Sequence, residues 1–441
     1  MTNTESPPDG SSTVEATTET SRHEQTTAPA RARALAPDLA RGLMLLLIAL
    51  ANGPWHLWNV DRGLLFAHPL GATGADLVAQ LVSIIVIDHR SYPLFAALFG
   101  YGMWQLYRRQ LAAGHDQKRA RRLLHKRHAW MIAFGAVHAV LLWYGDVVGA
   151  YGLTGLLVTA LIISRTDRTL WIWVAVLGGL VVLNALSTIG LGYLVAPFMQ
   201  QAMDEMAASG QGGLLAIPSL AAIDNYPLSM AIRIGAWALV TPGQVLMLTV
   251  PLAVIIAILA ARRGILEEPA RHRPLLRRVT LGGVLIGWLG AVPTALHWLG
   301  LLGLTHDMDW TWSMWHAATG VCAGLGYCAV FALVAARISD RGAPGPISRG
   351  LAAVGKRSLT CYVAQSVLFI PVLSAWGLGL GQHLSSWQMA AYAVGTWLVT
   401  LVMAVLLDRA GRRGPLEWLL RRLTYGRPGT AAVGPTPVRN G

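Results

Sequence analysis

Charge is what this sequence has least of. Only 13% of its 441 residues are Asp, Glu, Lys or Arg, while 54% are hydrophobic. A soluble protein has no reason to repeat apolar runs of ~20 residues, whereas a bilayer requires them. Cysteine is scarce as well. Cys322, Cys328 and Cys361 lie inside apolar runs without metal-ligand spacing, so they read as buried free thiols. No signal peptide precedes the first apolar run. Residues 1–35 are too polar for one, and their Ser, Thr, Pro and Glu content makes them a disordered tail. Residues 428–441 read as a second disordered tail. There is no internal repeat, which weighs against an inverted-repeat transporter. No Ser-centred elbow, Walker loop or dinucleotide fingerprint stands out among the 47 glycines, which fit close helix packing in a membrane.

What is present is a series of long apolar runs, at about 39–59, 77–107, 128–146, 147–164, 170–196, 232–261, 277–299, 314–336, 351–373 and 387–408. They are continuous and lack period-two alternation, which favours helices over a barrel. The fold class is therefore all-α: a polytopic membrane bundle of about ten spans in one domain, 36–427. The net charge of +13 sits in short loops such as "YRRQLAAGHDQKRARRLLHKRH" and "ARRGILEEPARHRPLLRR". These alternate with loops that are acidic or free of Lys and Arg. The positive-inside rule accounts for this pattern with both termini cytoplasmic, and it leaves nucleic acid no part. The lipid bilayer is the expected partner, and the sequence admits a homo-oligomer. Within 77–107, "DHRSYP" interrupts the apolar pattern and predicts a kinked or broken helix.

Ionisable groups inside spans are costly, and so they mark candidate sites. Arg41 enters the first span, and Asn52 lies eleven positions on, roughly 16 Å along a helix axis. "HPLGATGADL" offers His68 and Asp76, where a nearby carboxylate would fix the imidazole tautomer. "GAVHAVLLWYGDVVGAYGLTG" offers His138 and Asp146. Eight positions return to nearly the same helix face, roughly 12 Å apart along the axis. His56, His89 and Arg90 either line the same outer region or cap helices. His297, His306, Asp307 and His316 flank another outer loop, but their spacing matches no zinc pattern, and no metal is expected.

The ending "VGKRSLTCYVAQSV…RRGPLEWLLRRLT" resembles the bacterial membrane family called domain of unknown function 418, the YeiB-type proteins. That family's pattern runs Gly-Arg-x-x-Leu-Thr-x-Tyr-x-x-Gln-Ser, then Gly-Pro-x-Glu-Trp-x-x-Arg-x-Leu-Thr. Gly355, Leu359, Thr360, Tyr362, Gln365 and Ser366 match the first part; Gly414, Pro415, Glu417 and Trp418 match the second. Lys356 and Cys361 depart from it. "DLARGLMLLLIALAN", "YPLFAALFGYGMWQL" and "VHAVLLWYGDVVGAYGLTGLL" match in order. The family looks related to the transmembrane acyltransferases, whose first helix reads Arg, ten residues, His. Here the spacing ends on Asn52, as in the heparan-glucosaminide acetyltransferase branch, and "ADL" at Ala75–Leu77 follows His68.

The resemblance implies a multi-pass protein of the bacterial cytoplasmic membrane that moves an acyl group from cytosolic acyl-CoA to a hydroxyl or amine acceptor. In that scheme Arg41, Arg108 and Arg122 hold the phosphates of acyl-CoA. His68 or His138 is the base, oriented by Asp76 or Asp146, and Asn52 donates to the oxyanion. Two alternatives stand beside it: a proton-coupled transporter, which buried Arg, His and Asp also suit, and a catalytically silent membrane protein.

Overall fold

The computed structural model describes residues 1–2, 35–63, 66–208 and 219–426. Nearly all of the two predicted disordered tails lies outside the described residues.

Every apolar run falls on helix. The first span is α1, Leu35–Asn52, extended by a 3-10 turn through His56. The run at 77–107 is broken, as "DHRSYP" predicts. Helix α2 (Gly74–Val82) passes through a π-helical turn at Ser83–Ile87, and α3 begins at Ser91 and runs to Ala112. His89, in the break, has φ of +59°, a left-handed conformation that ends the helix. Next come α4 (Gln117–Leu141), α5 (Val147–Leu161) and α6 (Asp167–Ala208). The 232–261 run splits into α7 (Tyr226–Leu246) and α8 (Thr249–Arg262), bent by 52°. The chain continues through α9 (Arg273–Trp298), α10 (Trp310–Asp340), α11 (Pro346–Lys356), α12 (Ser358–Leu373), α13 (Ser386–Arg409) and α14 (Pro415–Tyr425).

Six helical segments among the described residues are long and apolar enough to cross a membrane, or seven with the bent pair α7–α8 counted as one span. The three other apolar runs fall on helices that miss this test for local reasons. The first half of α4, "QKRARRLLHKRH", is strongly basic. Helices α5 and α12 have 15 and 16 residues, short of the ~20 that a full crossing takes. The outer faces have the lipid-facing character expected of spans. On α6 Leu183, Leu194 and Phe198 are largely exposed, as are Leu281 and Leu289 on α9. Water would not tolerate so continuous an apolar surface.

Close helix approaches hold the interior. Gly283, Gly287 and Gly290 of α9 face Cys322, Ala323 and Thr319 of α10, where no Cβ would fit. Gly42 of α1 meets the backbone of Leu351 in α11, and Gly355 meets that of Asp38.

The two ends of the bundle differ. One end gathers the basic loops, tied by Arg262–Asp167 at 2.6 Å, Arg357–Asp408 at 3.0 Å, Lys356–Asp408 at 3.6 Å and Arg273–Asp340. At the other end, the Ala375 N–H donates to the Ala221 carbonyl at 2.8 Å, and the Phe66 N–H donates to Asp309 at 2.9 Å. The segregation of charge that the loops show in sequence is thus built into the fold.

Candidate functional site

Helix α4 ends just after His138, whose carbonyl accepts from both Leu142 N and Trp143 N, at 2.8 and 3.0 Å. The chain then reverses, and Asp146 caps α5 by accepting from the Gly149 N–H at 2.6 Å. The reversal changes the predicted geometry. His138 and Asp146 do not share a helix face about 12 Å apart. Instead the Asp146 Oδ1 lies 2.9 Å from His138 Nδ1. The other ring nitrogen, Nε2, lies 2.9 Å from the Ser366 hydroxyl on α12. All three side chains are buried.

Only the carboxylate faces Nδ1, so the proton belongs there and Nδ1–H donates to Asp146. Nε2 is left as the acceptor for the Ser366 O–H. Carboxylate, imidazole and hydroxyl thus form one relay, which arranges a histidine to take a proton from an alcohol. Gly135 of α4 makes room for it. A side chain there would strike the Asp146 carboxylate and the Gly149 backbone.

The relay borders a small cavity. Ile48, Ala49 and Asn52 of α1, His56, Trp143, and Tyr362, Gln365, Ser366 and Phe369 line it. The Gln365 amide donates out of the cavity to the Leu45 carbonyl at 3.3 Å. The Asn52 amide has no hydrogen-bond partner among the described residues. His56 is 2% exposed and its Nδ1 is also unpartnered, as is the Trp143 indole N–H. Buried polar atoms in natural proteins are nearly always paired. The cavity's accessible volume is about 10 Å³, room for about one water molecule to pair with these groups.

His68 belongs to a different cluster, and Asp76 is not its partner. The His68 Nε2–H donates to Asp88 at 2.8 Å, and the Ser83 hydroxyl donates to the same carboxylate at 3.0 Å. Asp76 instead accepts from the Trp387 N–H at 2.8 Å, an orphan donor in the first turn of α13. The break between α2 and α3 is the reason. It brings Asp88 back over Ser83, whereas Asp76 sits at the far end of α2. Beside this pair lies Arg90, fully buried, which donates to the Gly287 carbonyl at 2.6 Å and contacts His316 and the Asp88 carbonyl. The His89 and His316 rings are 4.6 Å apart. The His297 and His306 rings lie 6.2 Å apart, tilted by 59°. No group of three metal-ligating side chains occurs among the described residues.

The three arginines lie towards the basic end. Arg41 pairs with Asp38 at 3.3 Å and donates to the Leu98 carbonyl at 3.4 Å. Arg108 is 57% exposed, 3.8 Å from Glu267, and Arg122 is exposed. Of the residues singled out in sequence, Asn52 and His56 line the cavity, and His138 and Asp146 reach it through Ser366; His68 and Asp76 lie elsewhere. Ser366 and Asp88 were missed as site residues. Ser366 stands in a matched family motif, but nothing local links it to His138.

Residues 260–427 match the family model described as "Protein of unknown function (DUF418)". The match includes α12 with Ser366, while His138 and Asp146 precede it. Over 353 residues the chain is 26% identical to "Uncharacterized protein YeiB" of Escherichia coli (strain K12), covering 77% of this chain and 82% of that protein. Over 360 residues it is 25% identical to "Uncharacterized protein YxaH" of Bacillus subtilis (strain 168), covering 80% and 83%. These matches agree with the motifs at Gly355–Ser366 and Gly414–Thr424: the C-terminal part of this membrane protein is similar to the DUF418 family, and most of its length is similar to the YeiB and YxaH proteins.

Proposed function

We propose that the protein is an integral-membrane acyltransferase and that His138 is its general base. The observation that carries this reading is the imidazole held between Asp146 and the Ser366 hydroxyl, which lines the same cavity as the free Asn52 amide. An acyl-CoA enters from the basic end, where Arg41, Arg108 and Arg122 meet its phosphates. Its thioester reaches along α1 towards Asn52, roughly 16 Å from Arg41. There the Asn52 amide donates to the carbonyl oxygen as negative charge develops on it. His138 Nε2 takes the proton from the attacking hydroxyl or amine. Asp146 holds the tautomer and balances the imidazolium. The natural acceptor is a membrane or periplasmic hydroxyl or amine compound.

Transfer from radiolabelled acyl-CoA is the test, with purified protein in detergent. His138→Ala abolishes it in protein that its melting curve shows to be folded. Full transfer by that variant defeats the proposal. Stabilisation by acyl-CoA is an independent check, since a ligand bound only by the folded state raises the melting temperature.

The buried Arg90, with His68, Asp88, His89 and His316 around it, favours a second reading as a proton-coupled transporter. Flux driven by a pH gradient in proteoliposomes without acyl-CoA supports that reading instead.

A further inference from the structure

The base has a hydroxyl partner within the chain. A serine inside a helix ordinarily turns its hydroxyl onto the carbonyl one turn back. Ser366 does not do so. Its Oγ is directed to His138 Nε2 at 2.9 Å, and it borders the cavity together with the unpartnered Asn52 amide and His56 Nδ1. Nucleophile, base and orienting carboxylate are thus in hydrogen-bond contact in the order required to activate an alcohol. Unpaired polar groups line the same cavity as the oxygen that would attack.

We infer that Ser366 is a covalent nucleophile and that acyl transfer runs through an acyl-serine. This rests on the acyl-transfer reading above and assigns a residue to it. In the first step Ser366 Oγ bonds to the thioester carbonyl carbon and the C–S bond breaks. The hydroxyl proton passes to His138 Nε2 and from there to the departing sulfur, which leaves as the thiol. In the second step the acceptor hydroxyl or amine attacks the ester carbonyl. Its proton passes to Nε2 and on to Ser366 Oγ as the C–O bond breaks, restoring the serine. Without acceptor, water takes its place, and the enzyme is a slow acyl-CoA thioesterase.

The experiment treats the purified full-length protein with a fluorophosphonate probe and, separately, with radiolabelled acetyl-CoA, and locates adducts by peptide mass spectrometry. The expected fluorophosphonate adduct is on Ser366. It is absent in Ser366→Ala and forms at least about tenfold more slowly in His138→Ala and Asp146→Asn. In Ser366→Cys an acetyl group accumulates as a thioester that neutral hydroxylamine removes. Melting curves establish that each variant is folded.

Two results overturn the inference. One is a folded wild-type protein that takes no fluorophosphonate at Ser366. The other is Ser366→Ala transferring acyl groups at the wild-type rate, which leaves direct transfer by His138 standing. Probe labelling of Ser366 with no binding or use of any acyl-CoA upholds the nucleophile and overturns the acyl-CoA donor.

Discussion

His138 and Ser366 are 228 positions apart in the chain and 2.9 Å apart in space. Asp146 holds the other face of the same imidazole at 2.9 Å. Their burial removes competing water, so each hydrogen bond in the relay is stronger than its exposed counterpart. An unpaired member would be correspondingly costly.

Asp146→Asn tests the orientation of the base. The amide cannot accept from both His138 Nδ1 and the Gly149 N–H as the carboxylate does. The favoured tautomer then reverses, with the proton on Nε2 facing Ser366. Transfer activity is expected to fall by about 10³–10⁴-fold. Steady-state rates measured beside the melting temperature separate this from unfolding.

Gly135→Ala tests the packing around the carboxylate. The new methyl meets Asp146 Oδ2 and the Gly149 backbone. Overpacking of this kind costs about 1–3 kcal/mol. A lowered melting temperature and reduced probe labelling at Ser366 are expected together. Unchanged labelling would show that Asp146 is not held where Gly135 admits it.

Asp88 and Asp76 should behave differently. Asp88→Ala strands His68 and the Ser83 hydroxyl and costs about 1–3 kcal/mol or more. Asp76→Ala frees one N–H near the start of α13 and costs about 1 kcal/mol. Thermal melts rank the two. Labelling at Ser366 stays at the wild-type level in both, because neither residue lines that cavity.

Glu417 is expected to govern the start of the helix that carries Ser366. Its carboxylate accepts from Leu359 N at 2.7 Å, Thr360 N at 3.1 Å and the Thr360 hydroxyl at 2.5 Å. Glu417→Ala leaves those donors unpaired and costs about 3 kcal/mol. Amide hydrogen exchange over 357–361 should accelerate in the variant, with partial recovery in Glu417→Gln.

The spans were legible because the bilayer's demand is local: each segment must be apolar over its own length. "DHRSYP" also marked the break between α2 and α3 correctly, since charges and Pro93 oppose a plain apolar helix. Partners were less legible because they depend on turns. Asp146 was paired with His138 by helical spacing, yet the contact comes from the reversal after Leu141. Asp76 was paired with His68 by its nearness in sequence, and the π-helical turn gave that place to Asp88. Ser366 had no local signal at all. A hydroxyl in an apolar helix is ordinary until its neighbour from α4 is known.

The Glu417 clasp also bears on how the protein is made. The residues that fix the start of α12 are translated after every membrane-crossing segment. A chain stopped just before α14 would have all of its spans inserted, yet its Leu359 and Thr360 amides would lack their carboxylate. Quality control that inspects only membrane insertion would pass such a product. Nonsense mutations between Arg409 and Glu417 are therefore a genetic route to protein that reaches the membrane with the start of α12 unclasped.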